Sequence, residues 1–375
     1  MAGNLVIGTA VMLASGTLNE IAAGFAIGVE TAGLLVTAGA IVMGVGAPIA
    51  ASMIGDVDRK ILLPLSLAFM GVLHGVCALL DDFSGVLALR SLALITPALF
   101  TAQAAAACRF LAPPDQQGRA IGFVFMGWSV SAVLGVPLGA WMAGTFGWRW
   151  AFGMVGGCSL VAAALLVRAL PANIRPARMS ITSWRAALAS RPIMLCIAVT
   201  ALASSGQFVL FSFVAPYFKH VLGATSNDLA LYFAVFGSMG VLGSLIMTRL
   251  IDRIGSHHAV LLGISGMGLS LLAWPLATGP IAAMAISVPW GLACFATNSA
   301  QQARLAALGP SLVTGSVALN SSAMYGGQAV GSAVGAWAIT QGKLDALPSL
   351  GLLFIVVAVV TSVMAHRTTQ PTRPS

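Results

Sequence analysis

The chain has 375 residues, of which 58% are hydrophobic and only 7% charged, with 42 glycines and a formal net charge of +8. Soluble globular proteins carry roughly a quarter charged residues, so this composition excludes a water-soluble fold as well as intrinsic disorder and a disulfide-stapled scaffold. What remains is an all-α integral membrane protein, whose partners include the lipid bilayer itself.

A helix needs about 20 apolar residues to cross a bilayer. Runs of that kind fall at 4–18, 31–53, 61–80, 84–107, 120–143, 151–170, 193–217, 228–248, 258–276, 279–300, 313–340 and 348–365. The first has no basic region before it, so it reads as a short first membrane helix and not as a cleaved signal peptide. Clusters such as "GDVDRK" (55–60), "LAPPDQQGR" (111–119) and "DRIGSHH" (252–258) punctuate the runs. Twelve spans take up roughly 240 residues, which leaves no room for a soluble domain. The five cysteines (Cys77, Cys108, Cys158, Cys196, Cys294) all lie inside apolar runs, without CxxC pairs, and read as small packing residues, with no metal site and no cofactor implied.

Basic residues flanking the spans set orientation. With the even-numbered connections and the C-terminal tail in the cytoplasm, that side holds Arg59, Lys60, Arg109, Arg119, Arg168, Arg175, Arg178, Arg185, Arg191, Arg249, Arg253, Arg304, Arg367 and Arg373, fourteen of the eighteen Lys and Arg. The other side keeps Arg149, Lys219 and Lys343, and Arg90 alone falls within a span. Both termini are therefore placed in the cytoplasm. The charge is an orientation signal, and nucleic acid is not an expected partner.

The longest connection, "PANIRPARMSITSWRAALASRP" (171–192), separates an N-terminal six-helix bundle (1–171) from a C-terminal one (192–375). Ile181, Trp184 and Leu188 recur within it at helical spacing opposite Arg178, Arg185 and Arg191. Residues 172–191 thus read either as a short amphipathic helix on the cytoplasmic membrane face or as a solvated linker. The two halves repeat each other: "GVPLGAWMAG" (135–144) matches "GSAVGAWAIT" (331–340), and small residues recur every fourth position at Gly127, Ser131, Gly135, Gly139 and at Ala323, Gly327, Gly331, Gly335. Such stripes let backbones approach closely. Two related halves joined by a central cytoplasmic connection are the layout of a rocker-type secondary transporter.

Four stretches carry a family resemblance. "TRLIDRIGSHH" (248–258) resembles the loop pattern G-x-L-x-D-R-x-G, with Asp252, Arg253 and Gly255 in place. "LALR", ending at Arg90, resembles an L-x-x-R helix motif. "GWSVSAVLGVPLG" (127–139) resembles the antiporter pattern G-x-x-x-G-P-x-x-G, although Val136 separates Gly135 from Pro137. "FGWRWAF" (146–152) looks like an exporter corner. On these motifs the chain resembles the major facilitator superfamily, in particular its twelve-helix drug:proton antiporter branch and arabinose-efflux-like exporters. The resemblance implies twelve helices in two pseudo-symmetric six-helix bundles, placed as a monomer in a bacterial inner membrane. It also implies efflux of a small molecule by alternating access, with protons as the coupling ion. The first-half loop departs from the pattern: it keeps Arg59 and Lys60, but Ala51, Gly55 and Asp58 stand where the motif expects Gly, Asp and Gly. Val11 stands where arabinose-efflux-like proteins often carry an acid.

Arg90 is the most informative single residue. A charge at span depth costs about 2.5–3.5 kcal/mol on insertion scales, so it faces a cavity or a partner, or else snorkels to the outer interface. Asp252 and Arg253, with Gly255, form a candidate gating loop, because a carboxylate at a helix end can pair in one of two bundle arrangements and bias a two-state switch. Arg59 and Lys60 are the matching pair in the first half. The alternative for all of these is a topology-setting charge cluster. Gly127, Gly135, Pro137 and Gly139 form a helix-packing motif that bends span 5. The polar residues inside spans are His74, Gln103, Gln207, Asn298, Asn320, Tyr325 and Gln328. The resemblance implies that spans 1, 4, 7 and 10 line the cavity, which favours Gln207 and Asn298, with Asn320 beside them; interhelical hydrogen bonding is the competing account. Proton coupling has only Glu20, Asp228 and His74 to draw on, since no acid lies deep within a predicted span.

Three readings compete on function: a secondary-active exporter of drug-like or amphipathic molecules, an efflux carrier for a sugar, nucleoside or similar metabolite, and an integral-membrane enzyme. An enzyme requires convergent catalytic side chains at membrane depth, and none is visible. A channel would need a selectivity filter, and an ATP-driven pump a G-x-x-x-x-G-K-[ST] loop; neither occurs.

Overall fold

The computed structural model describes residues 1–54, 57–113, 116–175, 181–308 and 312–368, and all regular elements among them are helical. Asp56, Arg178 and Arg373, three charges expected on the cytoplasmic side, lie outside the described residues, as do the side chains of Arg109, Ile181 and Trp184.

The first span, α1 (Ala2–Phe25), is full length and not the short helix expected over 4–18. Its polar end stays helical because Thr17 returns its hydroxyl to the Leu13 carbonyl at 3.0 Å. Glu20 consequently lies inside the helix. The second span, α2, runs as Val29–Ala32 and Leu34–Met53. α3 (Arg59–Cys77) starts at Asp58, whose carboxylate accepts the Lys60 N–H at 3.0 Å. α4 starts at Asp82, which accepts the Gly85 N–H, and runs as Phe83–Ala93 and Ile95–Leu111. In α5, Gln117–Val130 passes through a wide π-type turn (Ser131–Gly135) into Val136–Phe146. Pro137, which has no N–H to donate, sits at the exit of that turn. α6 is Trp148–Ala169.

The connection between the halves contains a helix, Ile181–Ala189, which favours the helical reading over the solvated one. It lies against the start of α7 and against α11, with Ala187 buried and Leu188 facing outward. α7 runs as Arg191–Phe211 and Val214–His220. α8 and α9 are the two arms of Ser226–Ala273, meeting at Gly255 (φ 79°, ψ 157°). The loop expected between these spans is therefore helical on both sides of one residue. Gly255 is required there because a side chain is strained in left-handed backbone. α10 runs as Pro280–Ile286, Val288–Cys294 and Ala296–Leu308, α11 is Val313–Thr340 and α12 is Leu347–Arg367.

The α10 boundary corrects the expected span over 279–300. Arg304 is not in a connection but inside the helix and buried. Residues 301–308 were missed because "QQARLAAL", coming after "TNSA", is too polar to stand out as a membrane run.

The small-residue stripes do what their spacing promised, and they do it twice. Along α5, Gly127, Gly135 and Gly139 press on α1, where an added methyl would meet the Met1 carbonyl, the Thr9 hydroxyl and the Leu13 side chain in turn. Along α11, Gly327, Gly331 and Gly335 press on α7, against the carbonyls of Ala201, Ser205 and Val209. The relation of α5 to α1 is repeated by α11 and α7, which makes the two halves pseudo-symmetric. The repeated Trp141 and Trp337 point outward at 40% and 57% exposure, towards the side that lipid would cover. Between the halves, α2 lies along α11 and α5 along α8. Thr37 donates to Ser332 at 3.0 Å on the first seam, and Gly237 of α8 sits on the Ala132 backbone on the second.

Replacing Gly331 by Leu pushes a side chain into the Ser205 carbonyl, an overpacking that costs about 1–3 kcal/mol or more. The apparent Tm of the detergent-purified variant should fall clearly. Gly153→Ala, whose methyl meets open space, should hold the wild-type value; a fall of equal size in both would show that the stripe is not the cause.

Candidate functional site

α4, α7 and α10 are all interrupted, at Leu94, at Ser212–Phe213, and at Ser287 and Phe295, with a 49° bend between Pro280–Ile286 and Val288–Leu308. Broken helices persist at membrane depth only where the freed backbone groups are buried in protein or line a cavity. Two cavities lie beside these breaks. One sits within the C-terminal half between α7, α9, α10 and α11, where Thr200, Ser204, Gln207, Thr297, Asn298 and Gln301 supply its polar lining. The other sits where the halves meet and is apolar: Met12 of α1, Val136 of α5, Phe211 of α7, Phe233 and Phe236 of α8, and Phe295 of α10. The first encloses about 40 Å³, far below the roughly 300–1,000 Å³ of a site for a drug-sized ligand. A ligand of that size enters only when the helices around it part.

Around the polar cavity the structure brings three sequence-predicted residues together. Asn320 accepts the Thr200 hydroxyl at 2.5 Å and donates to Asn298 Oδ1 at 3.1 Å. Gln207 accepts the indole N–H of Trp290 at 3.3 Å, and Trp290 is fully buried among Phe211, Phe236 and Trp274. Gln301 donates to the Cys196 carbonyl. Its Oε1, together with the Thr297 hydroxyl, is buried with no hydrogen-bond partner. Buried polar atoms are ordinarily paired, so these two are open positions facing a cavity.

Arg90 does not snorkel. It is 1% exposed, and its guanidinium donates to the carbonyls of Leu35 in α2 (2.6 Å), Ala10 (3.1 Å) and Val11 (3.4 Å) in α1. It thus ties α4 to α1 and α2 with neutral acceptors only. His74 lies apart from both cavities, in the core of the N-terminal half, with Nδ1 on the Met70 carbonyl at 3.0 Å and its ring 5.7 Å from that of Phe152. Glu20 stands where α1 meets the outer part of α7; one carboxylate oxygen is buried with no hydrogen bond, and Lys219 is the charge that reaches it. Asp228 closes a capping box with Thr225 at the start of α8, a helix-end role.

The gating loops differ from one another. Arg59 is buried at the N-terminal end of α3, donating to the carbonyls of Ile54 and Val57 and to Gln103 of α4. Gln103, a substrate candidate by position, is thereby committed to Arg59. Lys60 contributes its backbone N–H to Asp58. Asp58, which the motif comparison treated as a departure, also accepts the N–H groups of Asn173 (2.7 Å) and Ile174 (3.3 Å), and so pins the start of the linker to the loop between α2 and α3. Those donors, Lys60 first and then Asn173, hold its carboxyl below the usual carboxylate range. Asp252 and Arg253 are exposed beside the Gly255 break. Sequence reasoning missed Arg304, whose guanidinium donates to the Ser362 hydroxyl (2.9 Å) and carbonyl (3.1 Å) of α12, and it missed Thr200, Gln301 and Trp290. The signal for Arg304 and Gln301 was their spacing: three residues apart on one face of a helix that continues from the span before them.

Comparison with known proteins fits this geometry. The family model described as Major Facilitator Superfamily matches residues 1–332. This chain belongs to the Major Facilitator Superfamily. It is 32% identical over 366 residues to a chloramphenicol resistance protein of Streptomyces lividans, covering 94% of this chain and 92% of that one. It is 25% identical over 368 residues to the inner membrane transport protein YdhP of Escherichia coli strain K12, covering 97% and 94%. Among solved structures, a bacterial homologue of the human lysosomal transporter Spinster, inward-facing and unoccupied, superposes with a TM-score of 0.77 at 17% identity, covering 99% of this chain and 98% of that one. The protein is thus a multi-pass membrane transporter, and the enzyme reading falls with that assignment.

Because the native carboxyl of Asp58 is held low, its stabilising effect is present above the unfolded value of about 3.9 and is lost as pH falls through the lowered native value. Asp58→Asn should therefore lower the thermal stability of the purified protein by a constant amount between about pH 5 and 7, and the gap to wild type should close as acidity rises below about pH 4. A gap that does not change across this range would remove the ionised carboxylate from the account.

Proposed function

We propose that the protein is a proton-coupled exporter of small, drug-like amphipathic molecules in a bacterial inner membrane, with both termini in the cytoplasm. The halves 1–171 and 192–375 move against each other about the linker, and the functional unit is a monomer. The observation that carries this reading is that an aromatic cavity and a cavity lined by amide and hydroxyl groups both lie beside the breaks of α7 and α10. An apolar pocket with a few convergent polar groups suits amphipathic ligands of modest size, and the 32% identical relative is named for resistance to one such antibiotic.

Within this reading, Gln207, Asn298 and Asn320 bind the polar part of the substrate. Arg90 holds α1, α2 and α4 in the register that closes the junction. Glu20 is the proton-carrying group, placed where α1 meets outer α7. Its protonation removes its attraction to Lys219 and so biases which side opens. Asp252 and Arg253 serve at the cytoplasmic hinge, with Arg59 and Asp58 bracing the opposite half.

Expression in a pump-deficient bacterium should lower accumulation of at least one antibiotic, and a protonophore should abolish the effect. Unchanged accumulation across a broad panel would favour a metabolite carrier. Arg90→Ala should stop transport with membrane abundance retained. Glu20→Gln should leave substrate binding intact and remove the dependence of efflux on the proton gradient; full gradient-driven efflux by that variant would take the coupling role from Glu20.

A further inference from the structure

The ten acidic residues are Glu20, Glu30, Asp56, Asp58, Asp81, Asp82, Asp115, Asp228, Asp252 and Asp345. Among the described residues, none of them lines either cavity. Two buried guanidiniums, by contrast, are bonded to or carried by helices that wall the cavities, α1 and α10. Arg90 is held by three backbone carbonyls, two of them those of Ala10 and Val11, just before Met12, which lines the junction cavity. Arg304 follows Gln301 by three residues on α10, hence on the same face about one turn away, and donates to the hydroxyl and carbonyl of Ser362. Neither charge is met by a carboxylate; the one ion pair among the described residues joins Arg149 to Asp81 at the outer surface. Buried as they are, these positive charges are screened by salt far less than exposed ones. The polar lining itself is neutral. Gln301 Oε1 and the Thr297 hydroxyl, in residues only 2% and 8% exposed, are buried without partners, and they call for a hydroxyl or amide donor on the ligand. Aromatic faces attract cations, but here Phe211, Phe236 and Trp290 are committed to one another at interplanar angles of 71° and 86°.

We propose that the site is charge-selective: it takes uncharged aromatic compounds bearing hydroxyl or amide donors and rejects lipophilic cations. The proposal rests on the exporter reading above and names its substrate class. The apolar rings hold the aromatic part, Gln301 and Thr297 accept from the ligand's donors, and Arg90 with Arg304 set a positive interior that a permanent cation must overcome. A carboxylate at the cavity wall would relax that selectivity. Gln207 and Asn298 are the places to put one, because Gln207→Glu and Asn298→Asp change charge with almost no change in shape.

The test measures accumulation of labelled chloramphenicol and of tetraphenylphosphonium in pump-deficient cells carrying wild type, Gln207→Glu or Asn298→Asp, against vector controls. The wild type should lower chloramphenicol several-fold and leave tetraphenylphosphonium at the control level. At matched membrane abundance, at least one variant should lower tetraphenylphosphonium accumulation by twofold or more. Wild-type export of tetraphenylphosphonium as strong as that of chloramphenicol would overturn the charge selectivity and leave the exporter reading standing. Export of neither probe, nor of any compound in the antibiotic panel, would remove both. Where a variant is absent from the membrane, the wild-type comparison of the two probes decides alone.

Discussion

Between helices surrounded by lipid there is no apolar driving force, so a bundle of this kind is held by close approach of backbones and by the few polar contacts that span them. The glycine stripes of α5 and α11 are that close approach. Each brings its helix onto the first helix of its own half, α1 or α7, with carbonyls and small side chains directly against the missing Cβ atoms. Everything functional is hung from these two contacts, because α1 and α7 carry one wall of each cavity. The other faces of α5 and α11 form the seams with α8 and α2. A single pair of helices in each half therefore serves both internal packing and the surface along which the halves meet.

Some of the polar contacts tie three elements at once. Arg90 bonds to α1 and α2 from α4; Arg59 joins the loop before α3 to α4; Asn320 links α7 to α10 through α11. A buried charge is costly at this depth, and both Arg90 and Arg304 offset that cost with carbonyl and hydroxyl acceptors. Neutral acceptors satisfy the donors without cancelling the charge. Neither Arg90 nor Arg304 is met by a carboxylate among the described residues.

Much of the architecture was legible from the amino acids. Apolar runs marked the helices, the repeat around Trp141 and Trp337 marked the halves, and the small-residue period pointed to close packing before any partner helix was known. The misplaced boundaries have a common physical cause. Thr17, Asn19 and Glu20 made the end of α1 look like a loop, and "NSAQQAR" did the same for α10, because a hydropathy reading penalises polar residues that in the bundle face protein and not lipid. Gln103 looked like a substrate residue for the same reason: its position inside a span was visible, but its commitment to Arg59 was not.

Composition and periodicity by themselves determined that this chain is a membrane protein of many helices in two related halves, with Arg90 at span depth and amides gathered on α7, α10 and α11. Those properties follow from the solvent and from the helical repeat, which act on each segment separately. Only the tertiary structure decided that Arg90 grips α1 and α2 instead of reaching the surface, that Arg304 is buried and bonded to α12, and that no carboxylate among the described residues faces either cavity. Such outcomes depend on which helix lies next to which, and contacts between residues as far apart as Ala10 and Arg90 leave no periodic trace along the chain.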